Sequence, residues 1–223
     1  MLTIGFTGKI GVGKSTTAKL FAGYMNSYGY RTVVGSFGDG LRFSMNKQLQ
    51  IPMEVLYSNK AKQTKLKELT DFENFYPTIQ ANENTSHITP DDILRTVYQE
   101  YAQGCRKKDP DIWIKLLKER SRFLESQGVV IMAVDDVRQQ NEFDYCVRCA
   151  NIIRIHEYDG YVNPAGSDHS VESGFPEPCD GIIEIHPKEY GIKHLDHIAE
   201  TLAIQVLKGM KESEYDYIFD FCL

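Results

Sequence analysis

The sequence predicts an α/β fold, with a five-stranded parallel sheet and helices on both faces. Short apolar runs alternate along the chain with segments whose apolar residues recur at helical spacing. The run 128–134 is almost continuously apolar, which is typical of a central parallel strand because both of its faces are covered. At 223 residues the chain has room for one domain, 1–223, with a helical insertion.

The first strand and helix flank a glycine loop. Residues 2–7 are predicted to form a buried strand, and residues 15–25 carry apolar side chains at helical spacing. Between them, residues 8–15 read GKIGVGKS and fit the pattern GxxxxGK[ST] at every fixed position. Strand, loop and helix stand in the order that this phosphate-binding loop requires, so we predict a P-loop NTPase fold.

The residue types of this loop suit a nucleoside triphosphate. Gly8, Gly11 and Gly13 allow backbone N–H groups to turn toward phosphates, and the following helix offers the positive end of its dipole. Lys14 is predicted to neutralise phosphate charge, and the Ser15 hydroxyl to ligand Mg²⁺. We also assign Thr16 to the nucleotide site and Lys9 to the substrate site.

The middle of the chain is predicted to contain the substrate-binding part. After Gly29 ends the first helix, we predict a second strand at 31–37, a short helix at 41–50 and a polar, irregular insertion at 51–88. The lysine-rich stretch 60–67 within it is typical of a solvated helix face.

Two helix starts follow the insertion, and they head the predicted substrate-binding helices 89–126. Thr89 is the expected N-cap of the first, with Pro90 in its first turn, and Asp109-Pro110-Asp111 begins the second. The remaining elements are predicted as a helix at 139–149, strands at 151–155 and 181–185, and a last helix at 192–211.

Open α/β sheets bind ligands at the carboxyl ends of their strands, so polar residues directly after strands are candidates for the site. Asp39 and Arg42 follow strand two, and Arg42 is predicted to contact a second phosphate unless it is a surface arginine. Asp135, Asp136 and Arg138 follow the central strand. One aspartate can hold Mg²⁺, and we assign this role to Asp135. Asp136 is assigned to catalysis and to substrate binding. Arg138 can bridge phosphates. A structural ion pair is the alternative.

Residues 158–180 are too long and too rich in glycine and proline for a simple connection. The segment carries Asp168, His169 and Glu172, and we predict that it is a lid over the site. A disordered crossing is the alternative.

Composition limits the classes of partner. A net charge of −6 argues against tight binding to a nucleic-acid polymer, since such proteins usually present a basic face. No apolar stretch approaches the length of a membrane helix and no signal segment precedes the loop, so we expect a soluble, cytoplasmic protein without a membrane partner. Five cysteines fit reduced thiols, and the CxxC at 146–149 lacks a second ligand pair, so a core role is expected.

Several separated motifs together resemble the bacteriophage deoxynucleoside monophosphate kinases, relatives of adenylate kinase. Beyond the loop, they are Thr89-Pro90, Gly104 with Arg106, Asp111 with Trp113, Asp136 with Arg138, Asn141 and Glu142, and Asp168, His169, Glu172 and Gly174. The resemblance runs from end to end of the chain. It implies transfer of the ATP γ-phosphate to a deoxynucleoside monophosphate, with ATP and Mg²⁺ required, a possible homodimer, and the host cytoplasm as location if the protein is phage-encoded.

The resemblance also implies roles for particular residues. Arg42, Arg106 and Arg138 would handle phosphates, and Trp113 and Glu142 would lie near the bound monophosphate. A lone tryptophan on an apolar helix face is more simply a core residue. The family has arginines after the Thr-Pro pair where this chain has Asp91 and Asp92, so Arg95, one turn later, is the expected replacement.

Two further departures concern the lid. His169 directly follows Asp168, one position earlier than the family pattern has its histidine. The family also has an arginine shortly after strand four, where this chain has Tyr158 and Asp159, so the source of the lid arginine is open.

Other functions remain possible from the sequence. Animal-type phosphomevalonate kinases share the D-x-R pattern after the central strand, and dephospho-coenzyme A kinases have a similar loop. A nucleotide-binding switch is a third alternative, although the chain has no N-K-x-D motif for reading guanine.

Overall fold

The computed structural model describes residues 1–9, 11–156, 182–185 and 191–212. The chain divides into two compact units, one made of Met1–Ser36 with Lys118–Leu223 and the other of Phe37–Leu117. Each unit is described by itself below. The helices, numbered in chain order, are α1 Lys14–Ser27, α2 Phe37–Leu49, α3 Met53–Tyr57, α4 Phe72–Ala81, α5 Leu94–Lys108, α6 Ile112–Ser126, α7 Gln140–Cys149 and α8 Ile192–Glu212.

A parallel sheet forms the centre of the first unit. Its strands are β1 Leu2–Thr7, β2 Thr32–Gly35, β3 Ile131–Val134, β4 Ala150–Ile155 and β5 Ile182–Ile185. They lie in the order β2-β3-β1-β4-β5, and every neighbouring pair is parallel. The predicted α/β fold with a parallel sheet is therefore confirmed. Apolar residues fill β3, which is buried along its whole length.

Helices cover the sheet of this unit. Helices α1 and α8 pack together over one face, where Phe6 of β1 meets Phe21 of α1 with ring centroids 5.9 Å apart. On the opposite face, Gly5 of β1 lies against α7, so close that a Cβ at this position would stand 3.0 Å from Cys146 Sγ. Cys146 is fully buried, as a core role requires.

The order of the strands produces a switch point beside β1. From β1 the chain continues through α1 to β2 on one side, whereas from β4 it continues to β5 on the other side. Connections thus leave the neighbouring strands β1 and β4 in opposite directions. In open α/β sheets this is where ligands bind, outside the carboxyl ends of the strands.

In the second unit, the prediction of an irregular insertion at 51–88 was wrong. The segment contains α3, α4 and two short 3₁₀ turns, Ala61–Gln63 and Leu66–Glu68. Polar residues dominate it, yet Phe75 and Ile79 share one face of α4 and are completely buried, as are Leu56 and Leu66. A few well-spaced apolar anchors therefore order this stretch despite Pro77 inside α4.

The lysine-rich stretch 60–67 is not the helix face that the sequence predicted. It spans the two 3₁₀ turns, and Lys65 forms an antiparallel bridge with Ile93.

Two helix starts also differ from the predictions. The helix expected from Thr89 begins only at Leu94, because the Asp92 carboxylate accepts hydrogen bonds from the Thr89 N–H at 2.7 Å and hydroxyl at 2.8 Å and closes a turn. Both bonds lower the pKa of the Asp92 carboxyl, and the bond from the backbone N–H has the larger effect. Helix α2 begins at Phe37 rather than at residue 41, since β2 ends at Gly35.

None of the helices in the described ranges combines the length and the apolar character that crossing a bilayer requires.

Candidate functional site

The three glycines of the loop after β1 have positive φ angles. Gly8, Gly11 and Gly13 have φ angles of 136°, 81° and 99°, a region that favours glycine. A Cβ at Gly8 would collide with the carbonyl oxygen of Ile155, at the end of β4, and one at Gly13 would lie 2.7 Å from Leu195 Cδ1 of α8. Gly8 is thus required by close packing as well as by φ, whereas at Gly13 the end of the Leu195 side chain can move aside and the positive φ is the constraint.

Lys14, the first residue of α1, folds back over this loop. Its Nζ donates hydrogen bonds to the carbonyl oxygens of Gly8 at 2.8 Å and Lys9 at 2.6 Å, and the side chain is largely buried. Because the first N–H groups of a helix have no acceptor within it, the start of α1 around Ser15 and Thr16 presents donors as well as a positive dipole end. Loop, ammonium and helix terminus together make an arrangement that suits an anion.

Two carboxylates follow β3 at the same edge of the sheet as the glycine loop. Val134, the last residue of β3, pairs with Gly5 of β1 on one side and Gly35 of β2 on the other. The next residue, Asp135, donates its N–H to the Gly35 carbonyl at 3.1 Å. Asp135 and Asp136 are half-buried here.

Side chains from the neighbouring strand ends contact this segment. The Ser36 hydroxyl, just after β2, donates to Asp136 Oδ2 at 2.5 Å. The Thr7 hydroxyl, at the end of β1, donates to the Val137 carbonyl at 3.1 Å. The first contact holds the Asp136 side chain, and the second holds the backbone directly after it.

Glu142 forms the cap of α7. Its Oε2 accepts hydrogen bonds from the backbone N–H groups of Arg138 and Gln139, each at 3.0 Å, and its side chain is buried. A glutamate at this position satisfies donors that a helix start leaves without intrahelical partners. The Arg138 side chain is exposed beside it. Helix capping alone accounts for the position of Glu142. Its role near the monophosphate stays a prediction.

The predicted ligands of Mg²⁺ are Ser15 and Asp135. Among the described residues, no three histidine, cysteine, aspartate or glutamate side chains are grouped to hold a metal ion. Mg²⁺ at phosphate sites usually takes one or two protein ligands and completes its shell with phosphate oxygens and water. The hydroxyl and single carboxylate predicted here fit that donor set.

In the second unit, Asp39 and Arg42 lie one turn apart on α2 and form an ion pair of 2.7 Å between Asp39 Oδ1 and Arg42 Nη1. Tyr57, at the end of α3, contacts both. Its hydroxyl donates to Asp39 Oδ1 at 2.9 Å, and its ring lies 4.7 Å from the guanidinium carbon of Arg42. Partial burial raises the pKa of Tyr57, and the hydrogen bond to Asp39 raises it further.

Arg95, in the first turn of α5, is held by the insertion. In the amide orientation that satisfies its hydrogen bonds, the side-chain oxygen of Gln63 accepts from Arg95 Nε at 3.2 Å and from Arg95 Nη2 at 2.9 Å. One turn further along α5, Tyr98 donates its hydroxyl to the Leu56 carbonyl at 2.5 Å, and Lys62 Nζ lies 5.5 Å from the Tyr98 ring centre. Burial raises the pKa of Tyr98, and Arg42 opposes this shift.

Arg106 and Trp113 complete the residues predicted in the second unit. Arg106 lies half-buried in the last turn of α5. Trp113 on α6 is only 3% exposed, and within the described ranges its indole N–H has no hydrogen-bond acceptor. This burial agrees with the core interpretation of Trp113, and its implied place beside a monophosphate stays a prediction.

Sequence reasoning missed Ser36, Tyr57 and Gln63. The sequence predicted a strand at 31–37, which placed Ser36 inside the strand, whereas β2 ends at Gly35 and leaves Ser36 directly after it. Tyr57 and Gln63 lie in the segment that was expected to be irregular, and no local pattern links them to Arg42 or Arg95. The predicted lid 158–180, with Asp168, His169, Glu172 and Gly174, lies outside the described residues.

In comparisons with known proteins, no family model matches this chain and no curated protein sequence is similar to it.

Proposed function

We propose that this chain is a P-loop kinase that transfers the γ-phosphate of ATP to deoxynucleoside 5′-monophosphates, giving deoxynucleoside diphosphates. The observation that carries the proposal is the position of Lys14, held over the glycine loop at the start of α1. Asp135 and Asp136 at the same sheet edge support it, because phosphoryl transfer needs cations and metal-binding carboxylates near the phosphates. The motifs shared with the phage kinases supply the acceptor class.

In this proposal each residue acts by positioning or by charge. The Gly8–Gly13 backbone and the N–H groups of Ser15 and Thr16 bind the phosphates of ATP, and Lys14 leaves its carbonyl partners to neutralise them. Asp136, held by Ser36, and Arg138 orient the acceptor. Mg²⁺ bound near Ser15 and Asp135 would supply charge neutralisation between the phosphates. In-line positioning and charge cancellation suffice for this reaction, which needs no covalent step on the protein.

A coupled assay of ADP production with ATP and Mg²⁺ tests the activity. The acceptor panel contains dAMP, dCMP, dGMP, dTMP, dUMP, the matching ribonucleotides, phosphomevalonate and dephospho-coenzyme A. We expect ADP production that depends on deoxynucleotides. Turnover with phosphomevalonate or dephospho-coenzyme A alone would assign a different kinase, and ATP hydrolysis without any acceptor would indicate a nucleotide-dependent switch.

Lys14→Ala tests the loop assignment directly. We expect loss of transfer by about 10²- to 10³-fold, because a preorganised charge that stabilises the transition state contributes on this scale. Lys19→Ala is the matched control, since Lys19 is an exposed lysine on the same helix. Circular dichroism and thermal unfolding check that both variants fold. Near-normal turnover by folded Lys14→Ala protein would contradict the P-loop assignment.

A further inference from the structure

We propose that Tyr57 is a positioning residue that holds Arg42 in the orientation needed to bind the phosphate of the acceptor nucleotide. This assignment rests on the proposed function, because the resemblance that supplies the acceptor class also implies that Arg42 handles phosphates. Tyr57 lies in the segment expected to be irregular, and no sequence motif points to it.

Three contacts join Tyr57, Asp39 and Arg42 into one group. The Asp39 carboxylate accepts from the Tyr57 hydroxyl at 2.9 Å and pairs with the Arg42 guanidinium at 2.7 Å, through the same oxygen, Oδ1. The Tyr57 ring lies 4.7 Å from the guanidinium carbon of Arg42. Tyr57 therefore contacts Arg42 through its ring and contacts the carboxylate partner of Arg42 through its hydroxyl.

The physical effect is to restrict a long, flexible side chain. An arginine with several rotatable bonds loses conformational entropy when it binds a ligand, and contacts made beforehand reduce that loss. A guanidinium stacked on an aromatic ring keeps its N–H groups in the plane parallel to the ring, where they can meet phosphate oxygens. Asp39 pairs with one guanidinium nitrogen of Arg42 and the Tyr57 ring lies beside the guanidinium carbon, so we expect the two contacts together to limit the rotation of this group.

The exposure of Tyr57 argues against a purely structural role. The whole residue is 53% exposed, whereas the side chains of Arg42 and Asp39 are 19% and 18% exposed. A half-exposed ring contributes little to a hydrophobic core, so removing it should leave folding nearly unchanged.

The first experiment measures the orientation of Arg42 without any enzyme activity. The Arg42 Nε–Hε signal, assigned by its loss in Arg42→Lys, is followed by ¹⁵N NMR with heteronuclear NOE in the whole protein. We expect a rigid signal in the unsubstituted protein, a partly mobile one in Tyr57→Phe and a mobile one in Tyr57→Leu. Phe43→Leu is the control, because Phe43 is a 61% exposed aromatic residue on the same helix as Arg42. An equally rigid signal in Tyr57→Leu would overturn the proposal.

The second experiment links this orientation to acceptor binding. Tyr57→Phe keeps the ring and should raise KM for the deoxynucleoside monophosphate by about threefold, as a modest hydrogen-bond loss would. Tyr57→Leu should raise it roughly tenfold, because the stacking contact is lost too. KM for ATP and the unfolding temperature should change in neither variant, and Phe43→Leu should match the unsubstituted protein.

A double-substitution cycle separates positioning from direct binding. If Tyr57 acts through Arg42, Tyr57→Leu has no further effect on KM in an Arg42→Ala background. Additive effects would overturn the positioning role. If the unsubstituted protein phosphorylates no monophosphate, the proposed function fails, while the NMR result still decides whether Tyr57 holds Arg42.

Discussion

At the scale of single residues, the glycine loop depends on two positions that exclude a side chain. Gly8 and Gly13 have φ angles of 136° and 99°, and each lies against another element, the end of β4 or Leu195 of α8. The sequence pattern marked both as glycines for phosphate binding. The structure adds that they also allow the loop to pack on the rest of its unit.

Gly8→Ala should therefore destabilise the protein as well as impair binding of ATP. The new Cβ meets a backbone carbonyl, which cannot rotate away, so we expect a loss of unfolding free energy of at least about 2 kcal/mol. Gly23→Ala is the control. Gly23 lies in the middle of α1 with open space around it, and alanine there should stabilise the helix by roughly 0.5 to 1 kcal/mol.

Urea unfolding of both variants measures these changes. A Gly8→Ala protein as stable as the unsubstituted one would show that the loop can shift away from Ile155 without cost, which contradicts the packing requirement.

At the level of secondary-structure elements, Glu142 at the start of α7 has two candidate roles. It caps the helix, and the sequence also predicted it near the bound monophosphate. Glu142 caps the helix through the N–H groups of Arg138 and Gln139. The same cap holds the backbone N–H of Arg138, the residue that we propose orients the acceptor. The structure of the cap thus bears on the site even if Glu142 never contacts a substrate.

Two substitutions at Glu142 separate these roles. Glu142→Ala removes the acceptor of two N–H groups and should cost about 1 to 2 kcal/mol of stability, as the loss of a helix cap does. Glu142→Gln keeps an amide oxygen that can accept these bonds, so its stability should be close to that of the unsubstituted protein.

Chemical denaturation and the coupled kinase assay together distinguish the roles. A stable Glu142→Gln protein with normal turnover assigns Glu142 to capping alone, whereas a stable but inactive one shows that its charge serves the substrate. Full stability of Glu142→Ala would contradict the capping role.

At the scale of the whole molecule, binding of the triphosphate and folding should be linked. A ligand that binds only the folded state stabilises it by mass action, by about 2.7 kcal/mol at a concentration 100 times its Kd. The chain carries a net charge of −6, so a highly charged anion can bind only where local cations and N–H groups outweigh that charge. In the first unit we expect the loop around Lys14 to be such a place.

ATP should therefore raise the unfolding temperature in a concentration-dependent way, and Lys14→Ala should remove most of the shift. Differential scanning calorimetry measures both. Adenosine, which has no phosphates, is the control ligand and should give no comparable shift. If adenosine and ATP stabilise the protein equally, the base rather than the phosphates is recognised, and the loop assignment fails.

Features that depend on local pattern could be predicted from the amino-acid sequence. The parallel α/β fold and the strand, loop and helix around Lys14 follow from apolar runs and from glycine positions within a few residues of each other. Asp135 and Asp136 could be placed at the same sheet edge because parallel strands all end on one side. Such inferences need only the regular geometry of strands and helices.

Contacts between residues far apart in the chain became visible in the folded structure alone. Ser36 reaches Asp136 across 100 positions, and Tyr57 meets Asp39 from another helix, which no local periodicity encodes. The helices at 51–88 escaped prediction for the same reason, since a polar stretch with Pro77 becomes ordered through the burial of a few anchors such as Phe75 and Ile79. Whether such a segment folds depends on the surface that it packs against, and that surface exists only once the chain has folded.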